Sequence, residues 1–89
     1  MDEARDRRLR RLYYRSTYRG THENDLLLGR FAERHLEGMT DAELDQYEAI
    51  LEQSDTDLFN WITGRAQVPD DCDSDVMRAL CRFHGHSGT

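Results

Sequence analysis

Arg19-Gly20-Thr21-His22-Glu23-Asn24-Asp25 is the stretch on which the rest of the sequence turns. An arginine-rich segment with helical spacing precedes it, and a second helical segment opening with Leu26-Leu27-Leu28 follows. Gly20 suits the left-handed conformation that ends many helices and that other residues resist. Thr21 is placed to cap the next helix, and Glu23 and Asp25 fall in its first turn, where negative charge is favourable. Folding alone asks little chemistry of so polar a hinge, which makes it the first place to look for function.

Outward from the hinge the chain reads as an all-α protein, a small bundle of five helices. Strand alternation, internal repeats and low-complexity tracts are not found in it. Before the hinge, a helix over roughly residues 3–18 carries Leu9, Leu12, Tyr13 and Ser16 at i, i+3, i+4 and i+7, a narrow inward stripe. Spacing residues at 100° puts Arg7, Arg11, Tyr14 and Tyr18 almost opposite. Two readings of that face stand: a solvated face whose Tyr rings lie over Arg stems, or a partner-binding face rich in hot-spot residues.

After the hinge, a helix over about residues 22–37 buries Leu27, Leu28, Phe31, Ala32 and His35, and Gly38 stops it. His35 is expected as a hydrogen-bonded core residue, and Gly29 as a point of close approach by another backbone. Thr40-Asp41-Ala42-Glu43 is a capping box that opens a third helix, with Leu44, Tyr47, Ile50 and Leu51 inward. Ser54-Asp55-Thr56-Asp57 reads as a turn and a second cap. The short fourth helix crowds Leu58, Phe59, Trp61 and Ile62 together and is expected at the centre of the core; Gly64 ends it. Residues 65–73 read as a loop. A fifth helix from about Ser74 to His84 buries Val76, Met77 and Leu80, with Phe83 a further candidate, and Gly85 onward reads as a frayed tail. The whole chain, residues 1–89, is expected to form one helical domain with an ordered core over about residues 4–84.

At 89 residues there is room for one modest core and little for a substrate cavity. The net charge of −6 argues against general nucleic-acid affinity. The charge is segregated: residues 1–19 hold seven Arg against three acids, +4, and the remainder five Arg against fifteen acids, −10. Every basic residue is Arg, the side chain of planar bidentate contacts and of interfaces. Two Cys make no disulfide framework and suit a reducing compartment. No apolar run approaches ~18 residues, so no membrane insertion is expected, and no signal peptide is visible.

Chemistry that would need a constellation is hard to assemble. Cys72, Cys81, His84 and His86 lack the paired spacing of a structural zinc site, and no metal is expected. Cys81, spaced helically from Met77 and Leu80, reads as a small buried hydrophobe. No nucleophile elbow appears, the glycines form no phosphate loop, and the acids of residues 70–75 lack the alternation and closing Glu of a calcium loop. No catalytic residue is assigned.

What remains is the hinge. Arg19-Gly20-Thr21-His22-Glu23 matches R-G-x-x-E, the signature of the succinate dehydrogenase assembly factors that promote covalent flavinylation, and the chain resembles that family. Leu12-Tyr13-Tyr14-Arg15-Ser16 precedes the signature as in family members, and Asp25-Leu26-Leu27-Leu28-Gly29-Arg30-Phe31-Ala32 follows it. Met39-Thr40 with Leu44 fits the start of the family's third helix, and Asp57-Leu58-Phe59-Asn60-Trp61 fits its D-[LI]-[FY]-x-W segment. The likeness runs over roughly residues 8–84. R-G-x-x-E alone is a weak signal; five segments in order are a strong one.

The resemblance implies a five-helix domain that is not an enzyme. It implies binding to the flavoprotein subunit of succinate dehydrogenase, or of fumarate reductase, and promotion of that subunit's covalent FAD attachment. FAD then belongs to the client and is not held stably by this chain. The cytoplasm of a bacterium or the mitochondrial matrix of a eukaryote is the implied location. By position, Arg19, Gly20 and Glu23 correspond to the signature and form the expected contact surface. Asp25, Tyr14 and Arg11 join them as candidate partner-binding residues from their places beside the hinge and on the exposed face. The same residues also have plain structural readings, Glu23 as a helix-dipole partner and Gly20 as a cap. A different class of function remains, a nucleic-acid-binding or toxin-antitoxin-type regulator using the Arg-rich first helix, and the acidic balance argues against it.

Overall fold

Six arginines surround Leu9 and Leu12, which stand three residues apart at helical spacing, and the longest helix forms there. In the computed structural model, which describes residues 3–85, α1 spans Glu3–Thr17, α2 His22–His35, α3 Asp41–Leu51, α4 Asp55–Ile62 and α5 Asp75–Phe83. Single 3-10 turns at Leu36–Gly38 and Asp70–Cys72 fill two of the connections. No strand occurs among the described residues, and none of the helices is long and apolar enough to cross a membrane. Of the ends expected to fray, residues 1–2 and 86–89, His86 among them, lie outside the described residues, whereas Glu3 opens α1 and Gly85 closes the turn after α5 at φ +77°.

Local sequence sets most of the helix starts. Thr40 accepts from the Glu43 amide while the Glu43 carboxylate accepts from the Thr40 amide, a complete capping box. Ser54 and Ser74 accept from Asp57 N and Met77 N at the starts of α4 and α5. Gln46 on α3 caps a further amide of α5, Val76 N, at 3.1 Å.

α1 and α2 form an antiparallel pair about the hinge, α3 packs on α5, and α4 lies against α2 and α5. Leu12, Leu28, Phe31, Leu44, Leu58, Ile62, Met77 and Leu80 are enclosed between them. The largest fully enclosed side chains are Tyr47 and Phe31, on α3 and α2. The centre of the core is therefore there, rather than on α4. That helix buries Leu58, Trp61 and Ile62 but leaves Phe59 half-exposed. The Tyr47 hydroxyl meets Ser16 Oγ at 2.5 Å, and Ser16 in turn donates to Leu12 O at 2.7 Å. Burial, partly opposed by the Ser16 hydrogen bond, pushes the Tyr47 phenol up to about 12.

Three further positions in α1 and α2 differ from the sequence reading. Tyr13 is exposed, because the inward arc of α1 is turned towards α3: Leu12 and Ser16 are buried, while Arg5, Arg8 and Arg15 flank them. His35 is exposed at the last residue of α2, with its ring against Phe31 and Phe83. The chain tightens there into the 3-10 turn, so Leu36, four residues after Ala32, takes the buried position instead. At Gly29 the close neighbour is a side chain, not a backbone: an added Cβ meets Thr17 Cγ2 of α1 at 3.0 Å.

Candidate functional site

The hinge is held from both sides. Gly20 has φ +98°, the left-handed conformation that its sequence position predicts. Thr21 stands at the N-cap of α2, yet its side chain makes no cap bond. Asp25 does the fastening instead: its Oδ1 accepts from Arg19 N at 2.7 Å, across the turn. The expected Thr21 side-chain cap is not made, and the Asp25 carboxylate fastens the turn before the helix instead of its first amides.

The Arg19 side chain turns inward. It is 11% exposed and donates to Leu51 O, to Gln53 O and, from Nε, to Asp55 Oδ1 at 2.6 Å. Leu51 and Gln53 lie at and beyond the end of α3, where carbonyls lack helical partners and a cation is favoured. One guanidinium thus closes α3, pairs with the first residue of α4 and pins the hinge to both. Asn24 completes the cluster. It is 1% exposed, and its Nδ2 donates to Asp55 O at 2.8 Å and to Asp55 Oδ1 at 3.2 Å. Its own Oδ1 is buried without a hydrogen-bond partner. Burial alone would raise the Asp55 carboxyl, but the Arg19 and Asn24 hydrogen bonds and the Arg19 charge outweigh it and hold it below the ordinary carboxylate range.

Neither Asn24 nor Asp55 stands out in the sequence as a site residue. Asn24 did carry a signal: it lies four residues before Leu28 and seven before Phe31, on the buried phase of α2. A polar side chain there must find a partner inside. Asp55 looked like a helix-start acid, and nothing local tells which arginine it meets.

Of the predicted site residues, the fold brings Arg19 and Asp25 into this cluster and leaves Gly20 and Glu23 exposed on it. Glu23 makes no ion pair among the described residues. It edges a groove of about 280 Å³ between the first turn of α2 and α4, whose walls include Asn24, Asp55, Thr56 and Phe59. Tyr14 and Arg11 lie apart, on the outward face of α1. Tyr14 is 62% exposed and stacks on Tyr18 with ring centroids 4.4 Å apart. With Tyr13, Leu9, Ala32 and Leu36 these rings line an open groove of about 670 Å³.

The segregated arginines divide likewise. Arg5, Arg8 and Arg15 face the acids of α3, pairing with Asp41, with Asp45 and Glu48, and with Glu48. Arg7 and Arg11 are exposed and make no ion pair among the described residues. Both cysteines are free thiols, Cys72 half-buried and Cys81 buried. Burial pushes both thiols up, helped by Asp71 and Asp57 at Cys72 and by Asp73 at Cys81. Cys81 is buried, its Sγ 3.7 Å from Trp61 O. No group of three His, Cys, Asp or Glu that could hold a metal occurs among the described residues.

The cluster is thus a rigid, polar, solvent-edged hinge whose chemistry is that of contact and charge. The profile of a family described as "Flavinator of succinate dehydrogenase" matches residues 10–84. The chain is 42% identical over 71 residues to the mitochondrial succinate dehydrogenase assembly factor 2 of Dictyostelium discoideum, which covers 80% of this chain and 50% of that protein. It is 40% identical over 82 residues to the same-named protein of Meyerozyma guilliermondii, 88% of this chain and 61% of that one. It is 40% identical over 73 residues to the FAD assembly factor SdhE of Acetobacter pasteurianus, 82% of this chain and 67% of that one. The chain spans about half the length of the first of these relatives. On the profile match and these identities, the chain belongs to the family of flavinators of succinate dehydrogenase.

Proposed function

We propose that this domain is an assembly factor: it binds the flavoprotein subunit of succinate dehydrogenase, or of the related fumarate reductase, and promotes covalent attachment of that subunit's FAD. The observation that carries the reading is the hinge, where Gly20 and Glu23 are presented to solvent on a backbone fastened by Arg19, Asp25 and Asn24. Interfaces gain from such preorganisation, because little ordering is left to be done on binding. Arg19 and Asp25 act as positioning residues, and Glu23, with the Tyr14 and Arg11 face, makes the contact.

The mechanism is selective binding. The domain binds the flavinylation-competent conformer of the client more tightly than its other conformers and shifts the population towards it. It donates no catalytic group and is not an enzyme. FAD stays with the client: the exposed carboxylate of Glu23 at the start of α2 repels a pyrophosphate, and no glycine-rich loop offers it amides. The place of action is the cytoplasm in a bacterium or the mitochondrial matrix in a eukaryote. Pairing of Arg5, Arg8 and Arg15 with the acids of α3 neutralises half of the six α1 arginines, and Arg19 is turned inward, which leaves less positive charge for any nucleic-acid contact.

The test is Glu23→Ala. Removal of a carboxylate from an exposed first turn costs the fold about 0.3–1 kcal/mol. Loss of an interface partner leaves a client group unpaired, and flavinylation should fall far more. In-gel flavin fluorescence of the client, with wild-type and variant factor at equal concentration, measures this. Equal flavinylation by a folded Glu23→Ala protein reduces the hinge to a helix start.

A further inference from the structure

We infer that the groove between the first turn of α2 and α4 receives a basic side chain, Arg or Lys, from the flavoprotein partner; this deepens the reading above and rests on it. The groove measures about 280 Å³, and its walls include Glu23, Asn24, Asp55, Thr56, Phe59 and Asn60. Its hydrogen-bonding capacity is unbalanced. Both recorded donations of Asn24 Nδ2 go to Asp55, which fixes the orientation of the amide and leaves Oδ1 buried with no partner. Asp55 spends Oδ1 on Arg19 and Asn24, and its Oδ2 has no hydrogen bond among the described residues. Glu23 adds a carboxylate with no ion pair among the described residues. Glu23 and Asp55 thus give this small concave surface a negative lining, and the buried Asn24 Oδ1 beside them lacks a donor, which is costly.

The nearby cations do not fill this demand. Arg19 is committed to Leu51 O, Gln53 O and Asp55 Oδ1. Arg65 lies over the Phe59 ring, 5.5 Å from its centre. An anion would be repelled, and an apolar group would leave the acceptors dry. Arg and Lys heads carry only donors, and their apolar stems suit a wall that includes Phe59.

The experiment places charge in the groove from two walls. Thr56→Lys and Asn60→Lys, with Thr56→Glu as the opposite sign at the same position, are titrated by calorimetry against the purified flavoprotein subunit, after each variant is checked by its melting curve. Each Lys variant should weaken binding at least ten-fold. Thr56→Glu should bind at least as tightly as wild type. If Thr56→Lys does not fold, Asn60→Lys carries the test alone. Equal weakening by Thr56→Lys and Thr56→Glu, or undiminished binding by the Lys variants, overturns the groove while leaving the assembly-factor reading in place. A wild-type domain that neither binds the flavoprotein nor promotes its flavinylation overturns that reading, and the groove with it.

Discussion

Two sets of arginines leave the same part of the chain and meet different surroundings. Arg5, Arg8 and Arg15 reach across to α3 and meet Asp41, Asp45 and Glu48, carboxylates that are between 42% and 86% exposed. Arg19 reaches into the α3–α4 corner, where its side chain is 11% exposed and the Asp55 side chain 28%. The residue types and the ion pairs are the same; the water is not. Exposed pairs gain little over solvation, whereas breaking a desolvated pair strands a charge and its hydrogen-bonding partners. The α3-facing set therefore acts as a charge-matched seam, and the Arg19 cluster holds the hinge in shape.

The largest effect tests that distinction directly. Arg19→Met should cost about 3 kcal/mol or more, because Asp55, Leu51 O and Gln53 O all lose a donor. Arg8→Met, which removes one exposed and one half-exposed pair at once, should cost less than about 1 kcal/mol. Urea denaturation of both variants measures this, and equal losses break the comparison. Acid sharpens it. The Asp55 carboxyl is held below its ordinary value, so its contribution is present above the unfolded value and is lost as pH falls through the folded one. The gap between wild type and Arg19→Met should narrow in that window, since a protonated Asp55 no longer needs the guanidinium. A gap that stays constant from neutral pH down through the carboxylate range assigns the cost to packing instead.

The split also marks what one sequence can tell. The caps at Thr40 and Ser54 were legible because donor and acceptor sit three residues apart. So was the left-handed Gly20, and so were the outward Arg11 and Tyr14, which periodicity alone places. Arg19 could be read as important but not as turned inward, because Leu51, Gln53 and Asp55 are 32 to 36 residues away. The inward arc of α1 was misplaced at Tyr13 for the same reason: which side faces the core depends on the acids of α3, which no local pattern contains. His35 fell to a one-turn change of helix type, where Leu36 won the buried place.

A smaller effect belongs to the hinge backbone. Gly20→Ala puts a side chain at φ +98°, with no atom within 4 Å of the added Cβ. The cost is conformational only, about 1–2 kcal/mol, and no repacking relieves it. It should appear as a lower melting temperature with the Arg19 contacts kept, so Arg19→Met and Gly20→Ala losses measured separately should exceed their combined loss only if the two are coupled. A Gly20→Ala protein as stable as wild type shows that the turn has another conformation open to it.

The smallest effect on the fold is expected on the outward face of α1. Tyr14 and Arg11 point away from Leu12 and Ser16, and Tyr14 touches chiefly Tyr18, itself 69% exposed. Arg11→Ala combined with Tyr14→Ala removes no buried contact, and stability should change by about 0.5 kcal/mol or less, the usual range for surface positions. Three tyrosines exposed around one groove are nevertheless a large ring area left in water, with few side-chain rotors to freeze on binding. If that groove joins the hinge in contacting the flavoprotein, the double variant should lose more than ~1 kcal/mol of binding free energy while melting like wild type. Calorimetric titration against the flavoprotein, read beside the melting curve, separates the two quantities. Unchanged affinity returns the tyrosines to ordinary solvated surface and confines the contact to the hinge, where Glu23 and the groove beside it would then carry recognition alone.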